Sequence, residues 1–172
     1  TQDKWSLKPS IIFGTGGNES IWGGKLVEEN LFGTGTYLQI EGLYRTENDI
    51  GWQGLGLLSQ RRLFRTELSF EGGVQANRYR TDQTLSIFQP YRTLSTEYSY
   101  GIKSNNSYGS DFLFKDNTFQ LMPFHERRIY GWLSRAWFRK DRIFATIAIQ
   151  LEDVKRLSSE FTRAYDNSGQ FL

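Results

Sequence analysis

The chain has no cysteine, one histidine, one methionine and three prolines in 172 residues. Without cysteine there is no disulfide framework, thiol nucleophile, cysteine zinc site or iron–sulfur cluster. No run of 18 or more apolar residues occurs, which excludes a transmembrane helix. The opening Thr1-Gln2-Asp3-Lys4 does not read as a signal peptide, so an exported protein would be seen here as its mature form or an internal fragment. An excess of one charge is missing as well: Lys plus Arg number 21 and Asp plus Glu 19, a net of +2 scattered along the chain. A nucleic-acid protein would gather basic charge on one face, so no nucleic-acid partner is expected. The size is that of one domain or a piece of one.

What the chain does have is 16% aromatic residues and 17 glycines on a polar average. Outer-membrane barrels combine these, because each strand alternates apolar and polar side chains. The alternation is clearest at Glu67–Asn77, where Leu68, Phe70, Gly72, Val74 and Ala76 share a face. Arg142–Glu152 repeats it with Ile143, Ala145, Ile147, Ile149 and Leu151. Leu38–Arg45 and Leu94–Ile102 show the same period of two, which a helix cannot use. Weaker strands are expected over 8–16, 20–31, 50–60, 83–88 and 127–138, for about eight or nine in all.

The predicted connections fall into two alternating classes. Gly33–Gly35, Arg61–Thr66, Gln89–Arg92 and Arg139–Asp141 read as short turns. Gly17–Glu19, Thr46–Asp49, Arg78–Gln83 and a long loop from Ser104 to Glu126 read as the opposite rim. This is the asymmetry of an up-and-down barrel. Aromatics near strand ends (Trp5, Trp22, Tyr44, Trp52, Tyr79, Trp137) fit interfacial girdles. Leu68, Phe70, Val74, Ile143, Ile147 and Ile149 are then the lipid-facing residues. The fold class expected is an all-β, antiparallel up-and-down transmembrane β-barrel or half-barrel, over residues 1–157. Residues 158–172 lose alternation and read as a polar loop or tail. A lipocalin-type soluble barrel would carry the same pattern with the apolar face turned inward.

Residues that could carry chemistry weigh in weakly. Gly72-Gly73 and Gly51, Gly54 and Gly56 lack the helix a phosphate loop requires, and Phe13-Gly14-Thr15-Gly16-Gly17 lacks a βαβ unit. His125, in Met122-Pro123-Phe124-His125-Glu126, reads as a loop residue; small barrel lipases and deacylases do use a Ser–His pair, but a lone histidine makes no metal site. The basic groups Arg61-Arg62, Arg127-Arg128 and Arg139–Arg142, interleaved with aromatics, superficially suggest RNA binding, but the first and last lie at short turns, where rim arginines meeting lipid headgroups or water are ordinary. No catalytic residue, metal or cofactor is expected, and the chain reads as a non-enzyme.

Phe13-Gly14-Thr15-Gly16, Glu19-Ser20, a strand, and Asn30-Leu31-Phe32-Gly33-Thr34-Gly35 together resemble the opening of the barrel in the BamA-type bacterial surface antigen superfamily of outer-membrane assembly and translocation proteins. The likeness continues through Thr36–Asn77, with Leu63-Phe64-Arg65-Thr66 at a turn, and thins beyond about residue 80. It implies that Phe13, Gly14 and Gly16 lie on a weakly paired seam strand, and that Asn30, Gly33, Thr34 and Gly35 form a periplasmic turn. Independently, the glycines suit positive φ and Asn30 can bond the turn backbone. The family's barrel has sixteen strands, a V-R-G loop motif and POTRA domains; this sequence holds about half the strands and neither of the others. The resemblance therefore implies an N-terminal half-barrel in the outer membrane of a bacterium or an organelle of bacterial origin. Its partners would be membrane lipid, client outer-membrane polypeptides and further barrel strands from the same or another chain. A self-contained small barrel with a structural, adhesive or ligand-binding role is the alternative.

Overall fold

The computed structural model describes residues 6–17, 19–47, 50–115, 118–138 and 141–156, with side chains placed outside 112–120. Trp5 and the stretch 158–172 lie outside the described residues. Nine strands follow one another: β1 (Lys8–Gly16), β2 (Glu19–Leu31), β3 (Thr36–Arg45), β4 (Gly51–Gln60), β5 (Ser69–Ala76), β6 (Arg80–Gln89), β7 (Tyr98–Lys115), β8 (Thr118–Trp137) and β9 (Ile143–Arg156). Each pairs antiparallel with its chain neighbours, in the order β1 to β9, so β1 and β9 are the edges of one open sheet. The period-two segments become strands because β-branched, aromatic and small residues alternate with polar ones, and sequential hairpins need only short connections.

The register sorts every side chain onto one of two faces. One rung runs Ser59, Glu71, Ser86, Lys103, Tyr130, Gln150; the adjacent rung runs Gln60, Phe70, Ile87, Ile102, Gly131, Ile149. The first face is polar, the second apolar. No helix or second sheet covers either face among the described residues. Yet Leu43, Ser69, Ser86, Ser99, Ser107, Phe124 and Ser134 are buried, all on the polar face by register. A single layer can bury one face only by curling over it, so the polar face is the concave one.

Small residues make the curl possible. Gly101 lies between Phe88 and Trp132 on one rung, and a Cβ there would strike the Phe88 Cβ and the Trp132 ring. Its absence lets the two rings close to 6.2 Å, an aromatic cover over a strand glycine. The Ser134 hydroxyl meets Tyr91 Oη at 2.9 Å and Thr146 Oγ1 at 2.8 Å, which satisfies polar atoms inside the curve. Between Glu28 and Leu31 the β2–β3 register slips at a bulge. There the Glu28 carboxylate accepts from the Asn30 N–H, the Ser6 N–H and the Ser6 hydroxyl at 2.8–3.1 Å.

Three sequence expectations are corrected. Ser104–Glu126 is not a long loop: Ser104 pairs with Ile129 and the ladder continues to Lys115 opposite Thr118. Its polar Ser-Asn-Asn-Ser run hid the strand because this half of the hairpin lies beyond the apolar run, where neither face needs greasy residues. His125 accordingly sits on β8 opposite Tyr108. Pro123 is tolerated because β8 has a described neighbour only on its β7 side there. Second, Leu94–Thr96 is not strand. Thr93, Ser95 and Thr96 bond one another's hydroxyls in a turn, and β7 begins at Tyr98. Third, the loop-length asymmetry reverses. The rim with the β7–β8 hairpin has the tight connection 77–79, while the opposite rim carries the longer Phe32–Gly35, Arg61–Leu68 and Pro90–Glu97 and also joins β8 to β9. These are called the hairpin rim and the turn rim below.

Candidate functional site

Among the described residues the functional geometry is distributed: two sheet edges without a described partner, one apolar face, one polar face and two unlike rims. On the β1 edge, Phe13, Gly14 and Gly16 pair with Trp22, Ile21 and Glu19. Phe13 points to the apolar face and is 76% exposed, while Gly14 falls on the polar face. The opposite edge of β1 has no described partner, and the same is true of β9 beyond β8.

In the Asn30–Gly35 turn, the Asn30 side-chain carbonyl accepts the Gly35 N–H at 2.7 Å and its backbone carbonyl accepts the Gly33 N–H at 2.9 Å. Thr34 donates its hydroxyl to the Leu31 carbonyl at 2.7 Å, and Gly33 and Gly35 both have φ of 69°. Glycine meets that φ without a Cβ clash. Removing the Asn30 amide leaves the Gly35 N–H to water, so Asn30→Ala should lower stability by about 1 kcal/mol. A urea midpoint that falls while the denaturant slope is unchanged would report it; an unmoved midpoint would mean the turn holds itself through Thr34.

Leu68 precedes β5; Phe70 and Val74 on β5 and Ile143, Ile147 and Ile149 on β9 share the apolar face by register. The apolar run slides from strand to strand. On β3 it covers Leu38 to Tyr44, and on β9 Ile143 to Leu151. The rung that starts at Leu38, the lower end of the run on β3, passes Leu58, Gly72, Leu85, Ser104 and Ile129 and arrives at Leu151, the upper end of the run on β9. The run thus drops by about seven residues over about six strand steps; at about 3.3 Å per residue and 4.8 Å between strands, a level band needs strands tilted by about 40°.

At the hairpin-rim end of that band Trp22, Tyr44 and Trp52 form a cluster with ring centroids 5.1–5.5 Å apart. At the turn-rim end the Arg135 guanidinium lies over both Tyr98 (5.4 Å) and Trp137 (5.2 Å). Above the band the same face turns polar: His125 Nε2 meets Asn106 Oδ1 at 2.7 Å, with Arg127 and Asp153 paired next along. The polar face carries its own charge ladder. Arg128 meets Glu126 at 2.7 Å and Glu152 at 3.1 Å, and Ser107 bonds Asp82 at 2.5 Å. Toward the turn rim a hollow of about 980 Å³ is lined by Glu29, Tyr37, Ser59, Arg61, Arg62 and Arg92.

The structure therefore does not bring the seam residues and the β9 isoleucines together; they stand at opposite edges of the sheet. Sequence reasoning missed the sliding band, visible only once the register is known, and the turn-rim phenylalanines Phe32, Phe64 and Phe138. A signal for the latter was present: a large aromatic recurs at the tip of three alternate connections. Compared with known proteins, the chain matches no family model, no curated protein and no solved structure.

Proposed function

We propose that this sheet is part of an outer-membrane β-barrel of BamA-type character that helps other outer-membrane polypeptides insert or cross, by offering a free strand edge as a template. The observation that carries the membrane reading is the sliding band. An apolar belt that stays level only if the strands tilt by about 40° is what a barrel in a bilayer requires, and a soluble ligand-binding barrel has no reason to keep such a belt on its convex face. The Trp22–Tyr44–Trp52 cluster supplies the aromatic girdle at one margin. The Arg128–Glu126–Glu152 ladder suits a wet lumen.

The templating role rests on the free edges. Edge strands present unpaired N–H and C=O groups, and a client strand that adds there is read through backbone pairing. On β1 the apolar face of the edge is held by Ile11 and Phe13, and Gly14 and Gly16 leave few side chains to pack across a seam. No covalent step is involved, and no catalytic residue is assigned.

The test is to reconstitute the chain in phospholipid vesicles and add a urea-unfolded eight-stranded outer-membrane barrel. Folding of that client should be severalfold faster than in protein-free vesicles. Equal rates, with the chain shown to be inserted, would sink the templating role and leave a structural barrel segment.

A further inference from the structure

All four described positive-φ residues other than glycine lie in connections of the turn rim: Phe32 (55°), Phe64 (51°), Arg65 (63°) and Phe138 (62°). A bulky side chain in the left-handed region is an outlier, and such strain persists where the surroundings or a function hold it. Here it recurs in three of the four connections and aims a phenylalanine outward each time. Phe32, Phe64 and Phe138 are 76%, 86% and 70% exposed, and the fourth connection presents Leu94 at 66%. A scattered exposed apolar residue needs no explanation, but the same device at successive tips of one rim does.

We infer that the turn rim is a lipid-seating surface, in which Phe32, Phe64, Leu94 and Phe138 enter the headgroup–acyl boundary of one leaflet and neighbouring arginines hold its phosphates. Depth argues for a lipid occupant. Counting from the girdle at Trp22, Phe32 lies about ten residues along the chain, the length a tilted strand needs to cross a hydrocarbon core. The strand-borne band on β3, Leu38 to Tyr44, is by itself only about 15 Å tall at this tilt, short of the roughly 25 Å belt of such barrels. The tip residues complete it.

Charge argues the same way. The Arg61–Leu68 connection carries Arg61, Arg62 and Arg65, none of which has a carboxylate partner among the described residues, while its Glu67 is taken by Arg92 at 3.3 Å. Phenylalanine flanked by unpaired arginine is the chemistry of an anionic interface. The Phe32 connection, in contrast, has no charged residue from Asn30 to Thr36.

This inference rests on the membrane reading above, and its test separates the two. Because the chain has no cysteine, Phe32→Cys, Phe64→Cys, Phe138→Cys and, as a mid-band control, Ile147→Cys can each carry a single nitroxide. In vesicles of phosphatidylethanolamine and phosphatidylglycerol, accessibility to oxygen and to a water-soluble nickel chelate reports depth. The three tip sites are expected between Ile147 and free label. Exchanging phosphatidylglycerol for phosphatidylcholine should move the Phe64 site toward water more than the Phe32 site. Tip sites as open to nickel as free label, with Ile147 oxygen-rich, overturn the inference alone. Tips closed to both reagents mean that a protein surface covers the rim, which also overturns it. Nickel access at Ile147 as well overturns the membrane reading and this inference together.

Discussion

Ile147→Arg should lower the stability of the folded chain in phospholipid vesicles by about 2–4 kcal/mol, the cost of placing arginine at the midplane of a barrel's lipid face. Ile147 sits mid-run on β9, on the apolar face, with 75% of its surface exposed. In water an exposed isoleucine is a neutral site, and arginine there would change stability by about 0.5 kcal/mol or less. The two environments therefore predict effects that differ severalfold at a position with few protein contacts to lose. Two further substitutions give the result its shape. Leu151→Arg, at the upper end of the same run and next to Asp153, should cost about 0–1 kcal/mol, because arginine near an interface reaches water. Thr146→Arg points to the polar face, where Thr146 already bonds Ser134, and should cost no more than that lost hydrogen bond, about 1 kcal/mol. Urea unfolding in vesicles measures all three. Equal losses at positions 147 and 151 would mean that no depth gradient exists on this face.

The strands legible in the sequence were those whose one face lies in the apolar band. Ile143, Ala145, Ile147 and Ile149 alternate with Phe144, Thr146 and Ala148 because one side needs grease and the other does not. Where the hairpin of β7 and β8 leaves the band, Ser104, Asn106 and Tyr108 share the outer face with His125 and Arg127, and hydropathy stops marking the ladder although backbone pairing continues. Length misled for the same reason: polar strand was counted as loop, and the rims exchanged roles. The Asn30–Gly35 turn was legible because positive φ and a side-chain cap are local demands that only a few residue types meet. The sliding band was not, since register is a relation between strands distant in sequence. Phe64 in the left-handed region defied local rules, as residues held for a purpose outside their own turn commonly do.

Alone in detergent, the chain should give no unboiled monomer that migrates ahead of the boiled one. The reason is parity. Nine sequential antiparallel strands leave β1 and β9 running in the same direction. Joining them in one molecule needs a parallel seam. Two copies related by an axis along the membrane normal keep their strand directions, so β9 of one again meets β1 of the other in parallel. An antiparallel seam requires an odd number of further strands from outside residues 6–156. Unless a parallel seam forms or such strands are supplied, both edges carry backbone groups that hydrocarbon cannot satisfy, at several kcal/mol for each group left unpaired. A closed barrel resists dodecyl sulfate because no edge offers a place to begin unzipping; an open sheet has two. Gel mobility with and without boiling, and the mass in the micelle, decide the matter. Associated chains or a mobility that boiling does not change would fit open edges, which is the condition the templating role needs. A compact unboiled monomer would mean that the chain closes on itself and has no edge to offer a client.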